Sequence, residues 1–177
     1  AIERMFDYWD KMNTHVHSCA IMRGGKLISL CAWEPYKVDS LHMLNSMSKT
    51  FTSIGVMYAM QEGLIDEEDY VISFFPEVCS EVKICENMKK MKVKHLLTMT
   101  TGHYPDNADF IINDSDPVKM FLSSDVLLEP GTKYVYNTGA TYMISLIISK
   151  VTGMSLSEYL VPRLFEPLGI ENIFWES

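Results

Sequence analysis

The sequence has little with which to staple or ligate a fold. Its four cysteines, Cys19, Cys31, Cys79 and Cys85, form no C-x-x-C pair, and no histidines cluster at metal-ligand spacing. Neither a zinc site nor a disulfide framework is expected, and Cys19 and Cys31, in apolar runs, read as buried free thiols. No apolar run reaches the roughly 18 residues of a membrane-spanning helix. The opening AIERMFDYWDKMN is charged and amphipathic and lacks the apolar centre of a signal peptide, which leaves the cytoplasm as the default location. Positive charge is scarce as well: 15 lysines and arginines against 23 acidic residues give a net charge of −8. The short cluster Lys89, Lys90, Lys92 and Lys94 reads as a solvated face, so a nucleic-acid partner is not expected.

What is present is an ordinary globular balance, 47% hydrophobic and 21% charged, in a chain long enough to bury a core. The thirteen methionines are read as core filling. Residues 2–12 read as a helix. His17 to Met22 and Leu27 to Trp33 are apolar runs around Arg23-Gly24-Gly25-Lys26, a strong hairpin signal because tight turns need positive φ. Leu64 to Glu77 reads as a loop with one helical turn halted by Pro76, and residues 77–92 as an exposed polar excursion. Further helices are expected over Val93 to Met99, from Asp116-Pro117, over Gly139 to Val151 before Gly153, and over Ser155 to Phe165. Glu171 to Trp175 reads as the start of a strand. A lone hairpin is marginal in water, so the expectation is a part of a larger fold, divided into residues 1–45 and a mainly helical 46–177.

The informative element is SMSKTFTSIGVMYAMQEG, from Ser46 to a C-capping Gly63. Met47, Phe51, Ile54 and Tyr58 share one helical face, and Val56, Met57 and Met60 make another side apolar. That pattern predicts a helix buried over most of its circumference. Its polar residues, Ser48, Thr50, Thr52 and Ser53, are small and gather at the N-terminal end. Ser46 and Lys49 fit the pattern S-x-x-K. Residues three apart share a helix face, so the amine reaches the hydroxyl, and a neutral amine can take its proton. The helix N-terminus also offers unpaired N–H groups to a developing oxyanion. About one such match is expected by chance, and Ser80 with Lys83 is a second, in a polar stretch with no apolar helix behind it. By itself, Ser46 reads as readily as a helix-capping serine.

Several blocks together carry a resemblance. NSMSKTFTSIGVMYAMQEGLIDEEDYVISFFPE, VKHLLTMTTGH, and EPGTKYVYNTGATYMISLIISKVTG with SLSEYLVPRLFEPLGIENIFWE occur in that order. They resemble the N-terminal portion of the class C β-lactamase-like serine hydrolases and penicillin-binding proteins, a group with esterase and D-alanyl-D-alanine carboxypeptidase members. The resemblance covers nearly everything from His17 onward. It implies an α+β fold of the β-lactamase/transpeptidase type, here an antiparallel hairpin from an incomplete sheet plus a mainly helical region, without the C-terminal strands. It implies acyl-enzyme chemistry on β-lactams, small esters or D-amino-acid peptides, with Ser46 as nucleophile, Lys49 as its activating partner, and no cofactor or metal.

The family's second motif, Tyr-x-Asn, aligns with Tyr136-Asn137-Thr138, which makes Tyr136 the general acid or base. Thr138 stands where asparagine is usual, which weakens the penicillin-hydrolysing expectation. Asn137 and Thr138 are then expected to bind substrate. The family's third motif, Lys-Thr-Gly or His-x-Gly, has no counterpart, since Lys150-Val151-Thr152-Gly153 carries an extra residue. Its strand supplies an oxyanion-hole donor, whose loss costs about a hundredfold or more in rate, so the chain by itself is expected to be weak or inactive. The alternative is a non-catalytic relative that holds a ligand without turnover. His103 reads as loop packing, and so do His15, His17, His42 and His95. A small-molecule or peptide substrate is the expected partner; oligomeric state is left open.

Overall fold

The computed structural model describes residues 1–104 and 115–175. The chain forms two compact units, Ala1–Asn45 and Ser46–Ser177. In the first, helix α1 (Ile2–Lys11) is followed by strands β1 (Ser18–Arg23) and β2 (Lys26–Ala32). The two glycines between the strands take φ of 57° and 72°, as a two-residue hairpin turn demands. The strands pair antiparallel with Ser18 opposite Ala32 and Cys19 opposite Cys31, and the register shifts between Ile21 and Met22. Both cysteines are free and only half-buried, not buried as expected. Phe6 and Trp9 of α1 meet Trp33 edge-on, with ring centroids 5.4 and 6.1 Å away.

The second unit is helical among its described residues. Helix α2 (Ser48–Gln61) is followed by α3 (Pro76–Cys79), α4 (Glu86–Lys89), α5 (Val93–Leu97), α6 (Pro117–Ser123), α7 (Thr138–Thr152) and α8 (Leu156–Leu160). The core gathers Val56 and Ala59 of α2, Ile144, Ile147 and Ile148 of α7, and Leu156 and Leu160 of α8. Gly55 lets these three helices close: a Cβ there would lie 2.6 Å from Leu156 Cδ1 and 3.2 Å from Ile148 Cδ1. The buried face of α2 is narrower than its composition predicts. Met47 and Met57 are both 67% exposed, and Phe51, Ile54, Tyr58 and Met60 are only partly buried. Apolar residues all round a helix do not by themselves decide which face finds a partner.

Three other expectations change. Residues 77–92 are not an exposed excursion: Met88 and Met91 are fully buried, and Val78, Val82 and Ile84 pack on the core. The polar residues between them turn outward, so mean polarity hid an inward side. The single helical turn expected before Pro76 lies at Val71–Phe74 and ends at Phe75, and the proline itself begins α3, since a first helical turn does not need its missing N–H. The last helix does not stay regular to Phe165. Beyond Leu160 it widens into a π turn over Val161–Phe165, where Glu166 N–H donates to Val161 O at 3.0 Å. Pro162 has no N–H to give the α-helical ladder at that point. Residues 171–175 form no strand, and Trp175 instead meets the ring of Phe51 edge-on at 6.3 Å. The lysine cluster is a solvated face whose amines pair with carboxylates: Lys89 with Glu86, Lys90 with Glu129, and Lys92 and Lys94 with Glu68.

Candidate active site

Ser46 lies in a single 3-10 turn, Asn45–Met47, that leads into α2. Asn45 has φ of 48°, a left-handed conformation that asparagine tolerates better than most residues. Met47, not Ser46, occupies the N-cap position of α2, and no side chain caps it there. The serine hydroxyl is engaged elsewhere. Lys49 Nζ donates to Ser46 Oγ at 3.2 Å, one helical turn on. Tyr136 Oη lies 2.6 Å from Ser46 Oγ, a bridge across ninety residues of sequence. The amine also sits 5.2 Å from the centroid of the Tyr136 ring. Ser46 and Tyr136 are exposed, and Lys49 is half-buried.

Backbone on both sides positions Tyr136. Just before it, Val135 N–H donates to Met99 O at 3.0 Å, and Gly131 N–H donates to Thr100 O at 2.7 Å. Just after it, Asn137 caps α7, its Oδ1 accepting from Ala140 N–H at 2.8 Å. The tyrosine hydroxyl is pulled below its ordinary range, first by its hydrogen bond with Ser46 and then by Lys49, with Thr138 adding a smaller effect. Lowering favours the deprotonated form, and in that form the Tyr136 oxygen is a proton acceptor beside the Ser46 hydroxyl.

Thr138, the first residue of α7, joins Lys49 in lining a cleft of about 360 Å3. Asn137 does not join it. Its side chain is 0% exposed and serves as a helix cap, so the expected substrate contact is replaced by a structural one. Asn137→Ala should cost about 1–2 kcal/mol, read as a lower urea midpoint, with Asn137→Ser recovering part of the loss by restoring a capping oxygen. Beside Ser48 and Thr52, the cleft contains residues that sequence reasoning passed over: Thr141, Tyr142, Ser145 and Ser149. Their signal was available, because Thr138, Thr141, Tyr142, Ser145 and Ser149 repeat at helical spacing along one side of α7. Ser80, the second S-x-x-K serine, donates instead to Glu77 O at 2.6 Å.

His103 is 1% exposed, with Nδ1 3.0 Å from Thr101 Oγ1, Nε2 2.8 Å from Ser124 Oγ, and its ring against Phe121. Burial pushes its pKa down to about 4. The folded chain thus holds a neutral imidazole that the unfolded chain protonates below about 6.5. The resulting stability, about 3 kcal/mol, is full above pH 6.5 and is lost as pH falls toward 4. Urea unfolding at pH 7 and pH 4.5 should show the decline, and His103→Gln should flatten it. Among the described residues, no three histidine, cysteine or acidic side chains come together as a metal site. No single helix among them is long and apolar enough to cross a membrane.

Comparison with known proteins matches residues 7–177 to the family described as Beta-lactamase. The chain is 26% identical over 149 residues to penicillin-binding protein 4* of Bacillus subtilis (strain 168), covering 78% of this chain and 31% of that protein. It is 26% identical over 144 residues to a β-lactamase of Yersinia enterocolitica, covering 81% of this chain and 36% of that one. Among solved structures, a β-lactamase/D-alanine carboxypeptidase from Pseudomonas syringae superposes with a TM-score of 0.77 at 21% identity, over 95% of this chain and 49% of that one. The chain therefore spans about a third of the length of these curated relatives, and its fold is of the β-lactamase/transpeptidase type.

Proposed function

The chain belongs to the Beta-lactamase family, and from that premise we propose that it carries the nucleophile of a serine hydrolase acting through an acyl-enzyme. The observation that supports this best is the bridge at Ser46 Oγ, 2.6 Å from Tyr136 Oη and 3.2 Å from Lys49 Nζ. Both distances are short enough for direct proton transfer. In the proposed reaction Ser46 Oγ attacks a carbonyl carbon while its proton passes to the Tyr136 oxygen. The Lys49 ammonium stabilises that oxygen as phenolate beforehand and the negative charge developing at Oγ during attack. The bond from the carbonyl carbon to its leaving group breaks, and Tyr136 returns the proton to that group. Water, deprotonated at the same tyrosine, then releases the acid and restores Ser46. The substrate class is a β-lactam, a small ester or a D-amino-acid peptide, in line with the names of the relatives. The cleft that Lys49 and Thr138 line, rich in hydroxyls, is the surface we assign to the rest of the substrate.

The test is covalent. The protein that carries this chain is incubated with a fluorophosphonate and with a fluorescent penicillin, digested, and searched for added mass on the peptide containing Ser46. An adduct at Ser46 is expected. Labelling elsewhere, or with neither probe, overturns the assignment.

A further inference from the structure

The first compact unit contains a cavity of about 400 Å3 that the proposed hydrolase chemistry does not use. Small ligands occupy cavities of this size. Its walls include Trp9, Trp33 and Tyr36, together with Asp10 and Glu34, and no lysine or arginine reaches it. Trp9 and Trp33 stand with their planes 73° apart, two indole walls set nearly at a right angle. Phe6 braces Trp33 edge-on, and Tyr36 is stacked on His17 at 3.8 Å. These rings are held by one another, so a ligand would not have to order them. Neither Asp10 nor Glu34 has a cationic partner among the described residues.

Aromatic walls with two carboxylates and no lysine or arginine, beside His15 and His17, complement one ligand chemistry, a positive charge spread over an apolar surface. The ring quadrupole attracts the charge, the indoles cover the methyl groups, and the carboxylates supply long-range attraction. A neutral ligand would use only the apolar walls, and an anion would meet two carboxylates. We propose that this cavity binds a small quaternary ammonium compound. The proposal stands apart from Ser46 and from any hydrolysis there.

The experiment is calorimetric titration with choline and with 3,3-dimethylbutan-1-ol, which has the same shape with carbon in place of the charged nitrogen. Saturable one-to-one binding of choline is expected, with the alcohol at least tenfold weaker. The double variant Asp10→Asn, Glu34→Gln changes only exposed side chains and should weaken choline at least fivefold with an unchanged melting temperature. Ser46→Ala should bind choline as the unaltered protein does. Equal binding of the alcohol, no saturation with choline, or full affinity in the double variant overturns the proposal. Loss of choline binding in Ser46→Ala also overturns it, because the cation would then be in the cleft of the second unit.

Discussion

Replacing Ser46 with alanine is expected to lower kcat/KM on any ester or β-lactam substrate by at least about 10³-fold and to abolish the covalent adduct. Lys49 Nζ and Tyr136 Oη both converge on the oxygen that is lost. Tyr136→Phe keeps the ring and the packing but removes the proton acceptor, for an expected loss of about 10²- to 10⁴-fold. A double variant of Ser46 and Tyr136 should be little worse than Ser46→Ala alone, since groups acting on one proton do not contribute independently.

The pH profile carries a sign. The tyrosine hydroxyl is held below its ordinary value by Ser46 and Lys49, and its deprotonated form is the base. The rate should therefore rise with pH through that lowered value, and Tyr136→Phe should lose this rising limb. A Ser46→Ala protein that still forms the adduct, or a Tyr136→Phe protein with an unaltered pH profile, would remove these residues from the mechanism.

Gly102→Ala should be among the most destabilising single-methyl substitutions in the chain. Gly102 has φ of 88°, and a Cβ there would lie 2.2 Å from Leu128 O and 2.8 Å from Val126 Cγ1. The nearer obstacle is backbone, which has no rotamer by which to move aside. It is also backbone in use: Leu128 N–H donates to Gly102 O at 3.0 Å, part of the lacing between residues 99–102 and 128–135. Positive φ and overpacking together should cost about 3 kcal/mol or more, lowering the melting temperature by about 6 °C or more. Gly63→Ala separates the two causes. Gly63 has φ of 71° but nothing within 4 Å of a Cβ, so only the conformational cost of about 1 kcal/mol remains. If the two variants melt together, the close approach at Leu128 is not what makes glycine necessary. The lacing ends one residue before Tyr136, so Gly102→Ala should also lose activity at temperatures where it is still folded.

How much was legible in advance depends on the range over which each interaction acts. The hairpin was readable because two glycines meet a local backbone requirement, and α7 was readable from its periodicity and terminal Gly153. Ser46 and Lys49 were readable as neighbours because three residues of helix bring them together whatever surrounds them. The same local pattern also allowed a capping serine and a second match at Ser80. Only the packed chain distinguishes these, by bringing Tyr136 to Ser46 and by turning the Ser80 hydroxyl to its own backbone.

Other decisions were non-local as well. The polar stretch 77–92 buries Met88 and Met91 because a surface was available to receive them. Asn137 became a cap because α7 starts at the next residue, so its buried amide oxygen accepts from the helix backbone. The sequence by itself determined local geometry and the chemical types on offer. The tertiary structure decided which groups lie within hydrogen-bond reach, because proton transfer depends on distances that close only when segments ninety residues apart pack together.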